Sequence, residues 1–295
     1  MSRSSLRLAL AVAGLSVVLC APALAQDEPA KTPTARGTGG AAASVDVLAT
    51  NAAINELKAG GNAVDAAVTA AGVLGVVEPF SCGVGGGGFM VIRTAKGKVT
   101  TIDGREKAPR AMRPDSFMEN GKPLAFDPAR FSGISPGVPG TPMTWSRALN
   151  KYGTISLRQA LAPGIGVATQ GYPVDQTFHD QIDAVKDYFN DVPSTAALYL
   201  NPDGSPREVG STITNPDMAR TYRILGSEGV RKGFYRGPVA AATAEAATNP
   251  PIGPAANHTW RKGLMTTDDL KRYSAPERAP VVSQYRGYTV YGMGP

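Results

Sequence analysis

Cysteine and histidine, which supply most metal and redox sites, are scarce in this chain. Its 295 residues include two cysteines and two histidines. There is no H-E-x-x-H segment and no closely spaced pair of cysteines, so no zinc-binding motif can be assigned. We therefore expect neither a metal ion nor a cofactor.

Motifs of several other protein classes are also missing. No G-x-S-x-G segment occurs, which argues against a serine hydrolase with a nucleophile elbow. The glycine run at 83–88 lacks the G-K-[ST] ending of a P-loop and precedes a predicted strand, so it is not assigned to phosphate binding. The basic residues are scattered despite a net charge of +6, and no nucleic-acid partner is expected. These residues alone provide no complete catalytic set.

The N-terminus has the layout of a secretory signal peptide. Arg3 and Arg7 form a short positive region, an apolar run follows at 8–19, and A-L-A at 23–25 is a small-x-small cleavage site. The apolar run is shorter than the ~20 residues that a membrane-spanning helix needs. We expect cleavage after position 25 and no membrane association afterwards.

Three segments follow from this pattern. We predict a signal peptide over 1–25, a flexible lead-in rich in Pro, Ala, Thr and Gly over 26–40, and a folded region over 41–295. The expected location is periplasmic or secreted, because the signal peptide directs export.

The reactive side chains that remain after cleavage have no evident catalytic partners. Cys82 is then the only cysteine, so no intramolecular disulfide can form. His179 and His258 are both remote from it in sequence, so we interpret Cys82 as a small buried side chain. Asp180 and Asp183 are interpreted as part of a solvated helix face beside His179. None of these residues receives a functional role from the sequence.

Two helices open the folded region. Helical spacing of apolar residues begins at Ser44 and ends at the glycine pair 60–61. Asn62 suits the N-cap of a second helix over 63–77. Because that helix is small or apolar on all sides, we predict that it is buried against a sheet or another helix.

A β-hairpin precedes the candidate binding residue. Strands are predicted at 89–93 and 99–102, joined by a turn at 95–98, which puts Arg105 just beyond a strand terminus. Arg105 has two interpretations. It either forms an ion pair with Glu106 that fixes the loop, or it offers a guanidinium fork to a substrate carboxylate.

The rest of the chain alternates helices and turns. Further elements are predicted as helices from a Thr141 cap to about Lys151, from Ser156 with a disturbance at Pro163, from Asn215-Pro216 to about Leu225, from Pro238 to Thr248 and from a Thr267 cap to Tyr273, a surface loop over 249–265, and a closing hairpin of 281–285 and 288–291.

A series of short motifs follows one order along the chain. They are G-G-N-A-V-D-A-A at 60–67, V-E-P at 77–79, G-V-G-G-G-G-F at 83–89, D-G-R-E-K-A-P at 103–109, G-V-P-G at 137–140, K-Y-G at 151–153, G-F-Y-R-G at 233–237, D-L-K-R-Y at 269–273 and Y-R-G-Y at 285–288. In this order the chain resembles the N-terminal part of the gamma-glutamyltransferase family, also called gamma-glutamyl transpeptidase or glutathione hydrolase, from about residue 42 to residue 295.

This resemblance implies a fold and a chemistry. The implied fold is α+β, a four-layer αββα arrangement of the N-terminal-nucleophile hydrolase type, incomplete in this chain. In the family the precursor cleaves itself, and the new N-terminal threonine of the small subunit attacks the gamma-glutamyl carbonyl. The acyl group then passes to water, an amino acid or a peptide. Arg105, in the family's D-x-R-E motif, is implied to bind the α-carboxylate of gamma-glutamyl substrates such as glutathione.

The resemblance also implies what these residues do not contain. The family continues with a proline- and serine-rich segment, and this sequence stops at its threshold with G-M-G-P at 292–295. We therefore expect the chain to be a truncated large subunit, without the threonine nucleophile and without its partner, the small subunit of the same precursor. On this view no catalytic residue lies in the chain, and it is inactive and poorly soluble alone.

Two alternatives stay open at this point. A glutaryl- or cephalosporin-type acylase would share the family pattern but accept another acyl group. A non-catalytic exported binding protein derived from the large subunit would require this length to be natural and soluble.

Overall fold

The computed structural model describes residues 34–294. The predicted signal peptide and the first part of the predicted lead-in lie outside the described residues, and 34–40 form neither helix nor strand. Helices α1 to α12 span Val47–Lys58, Ala63–Val77, Phe126–Arg130, Thr141–Tyr152, Leu157–Gln170, Gln176–Asp183, Lys186–Asn190, Pro193–Tyr199, Pro216–Glu228, Val230–Gly233, Gly237–Thr248 and Thr267–Arg272. Strands β1 to β9 span Gly88–Arg93, Val99–Gly104, Met118–Glu119, Lys122–Pro123, Tyr172–Pro173, Thr212–Ile213, Glu277–Arg278, Val281–Tyr285 and Tyr288–Gly292.

Helix α2 confirms the prediction of a buried helix over 63–77. Asn62 caps it, with its side-chain oxygen accepting from the amides of Val64 and Asp65. The helix packs against α1, α4 and α5, and small residues allow this close approach. A Cβ added at Gly72, for example, would lie 3.1 Å from Cδ2 of Leu161 in α5.

A three-stranded antiparallel sheet, in the order β1-β2-β7, carries the candidate arginine. β1 and β2 form the predicted hairpin, with Gly88 opposite Gly104 and Arg93 opposite Val99. β7 joins the other edge of β2. Because β2 ends at Gly104, Arg105 directly follows the strand, as predicted.

Helix α4 packs against this hairpin and carries one of the two tryptophans. Trp145 is 4% exposed and contacts Tyr222 edge-on, with ring centroids 6.2 Å apart. Thr141 was predicted to cap α4, but the N-cap is Gly140, since Thr141 already lies in the helix. Likewise the cap of α12 is Thr266 rather than Thr267, because the Thr266 hydroxyl accepts the amide of Asp269.

Helix α5 continues through Pro163, which was predicted to disturb it. Ser156 and Gln159 form a capping box at its start. Farther along, Gly164 packs so closely on α2 that an added Cβ would lie 2.8 Å from the carbonyl oxygen of Gly72. Packing against α2 and α9 therefore holds the helix together despite the hydrogen bond that proline removes.

The closing hairpin of β8 and β9 is confirmed, and it is exposed on both faces. Its two-residue turn has Arg286 at φ 47° and Gly287 at φ 83°, the left-handed pair of a type I′ turn. Large apolar side chains on it reach solvent, namely Val281, Val282, Tyr285, Tyr288, Val290 and Tyr291.

A buried carboxylate joins α2 to the segment between α4 and α5. Asp65 is fully buried. One oxygen accepts the amides of Thr154 and Ile155, at 2.8 and 3.3 Å, and the other accepts the Thr154 hydroxyl and the Asn62 amide. Burial by itself raises the pKa of Asp65, but hydrogen bonds from Thr154 and the backbone outweigh it and lower that pKa below its usual value.

Asp65→Asn is expected to lower the free energy of unfolding at pH 7 by about 2–3 kcal/mol, because its amide group would face hydrogen-bond donors. The pKa of Asp65 is depressed in the folded state, so its contribution is present above about pH 4 and is lost as pH falls through the folded pKa. The gap between variant and parent should therefore shrink at pH 3. Urea unfolding at both pH values measures it.

The matched control is Asp46→Asn, at the N-cap of α1, where Asp46 accepts the amides of Leu48 and Ala49. Asparagine caps a helix about as well as aspartate, so a change within about 0.5 kcal/mol is expected there. Equal losses at Asp46 and Asp65 would contradict a special role for the buried carboxylate.

Candidate functional site

Arg105 lies at the surface immediately after β2. Its side chain is 70% exposed, and its Nε lies 3.6 Å from Oε2 of Glu106. The predicted ion pair with Glu106 is therefore present, but at a distance longer than a hydrogen bond. The exposed guanidinium can donate hydrogen bonds to a second carboxylate that reaches it from solvent.

The backbone of Arg105 is held more firmly than its side chain. Its amide donates to Oδ1 of Asp103 at 3.1 Å, and its carbonyl accepts the Tyr273 hydroxyl at 2.8 Å. The other Asp103 oxygen accepts Nε of Arg278 at 2.8 Å. Burial alone raises the pKa of Asp103, but the hydrogen bonds from Arg278 and the Arg105 amide outweigh it, and that pKa is lowered.

The glycine run at 83–88 packs around this loop. A Cβ at Gly87 would lie 2.6 Å from Oε2 of Glu106 and 2.5 Å from the carbonyl oxygen of Gly104. The carbonyl of Gly86 accepts the amides of Gly140 and Thr141 at 2.8 and 3.1 Å. These glycines thus allow the start of β1, the Arg105 loop and the start of α4 to approach closely.

The Glu106 side chain lies against Gly87, in the space that a Cβ there would take. Its Oε2 is buried and accepts no hydrogen bond from any described residue. A buried carboxylate oxygen without a donor is costly, and the Arg105 guanidinium is the cation nearest to it. No hydrogen bond joins the two side chains.

Two stacked tyrosines support the loop from behind. The rings of Tyr273 and Tyr235 are 5.5 Å apart and nearly parallel, at 6°. Tyr235 donates its hydroxyl to the carbonyl of Pro139 at 2.7 Å. Sequence reasoning gave neither tyrosine a role, although Tyr273 closes the D-L-K-R-Y motif at 269–273. Its contact with Arg105 spans 168 residues, so no local pattern reveals it.

Cys82 is half-buried rather than buried as predicted. Desolvation, followed by the charge of Glu78, raises the pKa of its thiol. The thiol form is therefore favoured, in agreement with the interpretation that Cys82 is not a nucleophile.

The two histidines lie in different surroundings. His179 is on α6, where its Nδ1 lies 3.3 Å from an Asp180 oxygen, and Asp180 and Asp183 are solvated as predicted. His258 instead contacts Asp191, Nδ1 to Oδ2, at 2.9 Å. Within residues 34–294, no cluster of three or more His, Cys, Asp or Glu side chains is arranged to hold a metal ion.

Asp191 organises the segment predicted as a surface loop at 249–265. It also accepts the indole N–H of Trp260 at 2.7 Å and the amide of Asn257 at 3.1 Å. Burial alone raises the pKa of Asp191, but the hydrogen bonds led by Trp260 lower it overall. The loop has no helix or strand, yet this buried carboxylate anchors it. The residues that bind Asp191 hold this loop in place, and none of them contacts Arg105.

No helix within 34–294 is both long and apolar enough to cross a membrane.

The fold matches solved structures of one hydrolase class. The crystal structure of Helicobacter pylori gamma-glutamyltranspeptidase aligns with 89% of this chain and 72% of that chain, with a TM-score of 0.81 and 32% sequence identity. This likeness, together with the mixture of helices and strands described above, confirms the α+β fold of the N-terminal-nucleophile hydrolase type.

The family follows from the sequence comparisons. The family model for gamma-glutamyltranspeptidase matches residues 49–295, and the chain belongs to this family. The glutathione hydrolase proenzyme of Bacillus subtilis (strain 168) is 37% identical over 258 residues, which cover 86% of this chain and 41% of the relative. The acylase ACY 1 proenzyme of Pseudomonas sp. (strain V22) is 33% identical and is covered to 46%. The chain thus spans about two fifths of the length of the curated relatives that it matches.

Proposed function

We propose that the protein carrying this chain is a gamma-glutamyltransferase that cleaves gamma-glutamyl amides such as glutathione. The observation that carries the proposal is the exposed guanidinium of Arg105 at a rigid strand end, within a chain of this family. A guanidinium fork binds carboxylates through two parallel hydrogen bonds. Its partner in the substrate is the α-carboxylate of the gamma-glutamyl group.

Each side chain around the loop has a task in this proposal. Asp103 and Tyr273 hold the backbone of Arg105, and Glu106 orients the guanidinium without neutralising it fully. The bound α-carboxylate then fixes the donor so that its gamma-carbonyl is presented for attack. The attacking group is a threonine outside these 295 residues, which forms the acyl-enzyme that water, an amino acid or a peptide resolves.

The proposed partner is the small subunit of the same precursor. The Bacillus subtilis and Escherichia coli (strain K12) relatives are proenzymes, which supports a precursor that is cleaved. The chain also presents uncovered apolar surface, with Phe89 and Val91 on β1 exposed by 50% and 47% and apolar side chains along the β8–β9 hairpin. We propose that the small subunit covers these strands, and that the isolated chain is inactive.

Export is part of the same proposal. The pattern of Arg3, Arg7, the apolar run at 8–19 and the A-L-A site at 23–25 supports a signal peptide. We propose a periplasmic or secreted enzyme.

A glutaryl- or cephalosporin-type acylase is the second candidate, because the chain is 33% identical to an acylase. A glutaryl group keeps the carboxylate of a gamma-glutamyl group and lacks only the α-amine. Arg105 would bind the carboxylate of either donor equally well. The transferase and the acylase would therefore differ in the residues that bind the α-amine.

A pair of donor anilides, gamma-glutamyl and glutaryl, tests the proposal on the protein that carries this chain. We expect kcat/KM to be at least about tenfold higher for the gamma-glutamyl donor, because an amine-binding site left empty by the glutaryl group costs more than about 1.4 kcal/mol. The readout is release of the aniline. A reversed preference would favour the acylase, and turnover of neither donor would overturn both candidates.

A further inference from the structure

The geometry points to Tyr273 as a positioning residue for substrate recognition by Arg105; we propose that its hydroxyl sets where the guanidinium stands. The inference rests on the proposed function. It is based on the contrast between the loosely held guanidinium of Arg105 and its firmly bound backbone. The guanidinium is exposed and loosely paired, so its position depends on how well the backbone of Arg105 is fixed.

Two hydrogen bonds fix that backbone from opposite sides. On the amide side the anchor is Asp103, a neighbour in sequence. On the carbonyl side the anchor is the Tyr273 hydroxyl, supplied from the end of α12. A loop held by its neighbour alone can still move as a unit, whereas the Tyr273 bond ties it to a separate part of the fold.

The tyrosine itself has little freedom to move. Its side chain stacks on Tyr235, as described, and the residue is 2% exposed. Lys107 Nζ lies 5.3 Å from the centroid of the Tyr273 ring on the same loop. Burial, then the charges of Asp103 and Glu106, raises the pKa of Tyr273 to about 12, so the hydroxyl keeps the proton that it donates.

Helix α12 transmits this rigidity. Its first turn is closed by the capping box of Thr266 and Asp269, and Asp269 also accepts the amide of Arg110 at 3.1 Å. The segment after β2 is therefore attached to α12 at two points, through Arg105 and through Arg110. Only four residues separate the two points, so losing the Tyr273 hydroxyl should displace the Arg105 guanidinium.

Tyr273→Phe tests the proposal, because it removes the hydroxyl and keeps the ring stack. We expect KM for a gamma-glutamyl anilide to rise about 3- to 10-fold, the loss expected for one neutral hydrogen bond, with kcat within about twofold. The matched control is Tyr222→Phe. Tyr222 is also buried and donates its hydroxyl to a backbone carbonyl, that of Gly72 at 2.8 Å, away from the arginine. The Tyr222→Phe variant should have an unchanged KM for the gamma-glutamyl anilide.

A double-variant cycle separates positioning from general stability. In an Arg105→Lys background, Tyr273→Phe should change KM by less than about twofold, because the fork that it positions is already gone. Additive effects would overturn the proposal, and so would an unchanged KM in Tyr273→Phe alone. Failure of Tyr273→Phe to fold while Tyr222→Phe folds would show a structural role instead.

The outcome also separates this inference from the proposed function. A parent protein without gamma-glutamyl activity, or one indifferent to Arg105→Lys, would overturn the proposed function and the inference together. An active, Arg105-dependent parent with a silent Tyr273→Phe would overturn the inference alone.

Discussion

Arg105→Ala is expected to lower kcat/KM for gamma-glutamyl donors by about 30- to 5000-fold, or about 2–5 kcal/mol, in the protein that carries this chain. The substrate carboxylate would lose its bidentate partner and remain desolvated. Because that carboxylate takes no part in bond making, the interaction is equal in the ground and transition states. Most of the loss should therefore be in KM.

Two further variants make the result specific. Arg105→Lys keeps the charge and loses the fork, so an intermediate loss is expected. Arg110→Ala is the matched control: its side chain is 69% exposed, against 70% for Arg105, and it pairs with Asp268 at 3.4 Å. Steady-state kinetics with a gamma-glutamyl anilide gives all three values. An unchanged kcat/KM in Arg105→Ala would remove Arg105 from the site.

Gly140→Ala is expected to lower the free energy of unfolding by about 3 kcal/mol or more, the upper range for overpacking. An added Cβ would overlap the Gly104 carbonyl oxygen and the Tyr273 hydroxyl oxygen. The φ of Gly140 is −113°, which any residue adopts, so the cost arises from space alone. Backbone atoms have few ways to yield, and the Arg105 loop would be pushed out of place.

The control for this variant lies in the glycine run. Gly85→Ala places its methyl group where no atom lies within 4 Å, so a change within about 0.5 kcal/mol is expected. Thermal unfolding followed by circular dichroism measures both variants, and gamma-glutamyl KM reports the loop. Equal stability of the two alanine variants would mean that the start of α4 can shift away from β2 at no cost.

Elements that depend on local sequence signals could be predicted from the sequence. Asn62 is a residue type that favours an N-cap, and this local signal predicted α2 with its bounds. The predicted hairpin at 89–102 likewise placed Arg105 at a strand end. The caps at Thr141 and Thr267 were each predicted one residue late. Thr266 carries the same hydroxyl as Thr267, and the cap of α4 is Gly140, which makes no side-chain hydrogen bond, so residue type alone does not fix either boundary.

Contacts between distant segments were out of reach of this reasoning. The bonds of Asp191 to Asn257 and Trp260 join residues 66 and 69 positions apart, and Tyr273 reaches Arg105 across 168. Nothing in the spacing of an aspartate or tyrosine indicates such a partner. The same applies to Asp65, whose bonds to Thr154 span 89 positions.

The two tryptophans of this chain lie in contrasting environments, which makes them separate optical reporters. Trp145 is packed in an apolar interior against Tyr222, in the helix that begins beside the Arg105 loop. Trp260 donates its indole N–H to a carboxylate. Their fluorescence should differ in wavelength. Trp260→Phe would leave Trp145, whose emission follows α4 beside Arg105. Trp145→Phe would leave Trp260, whose emission follows the loop at 249–265.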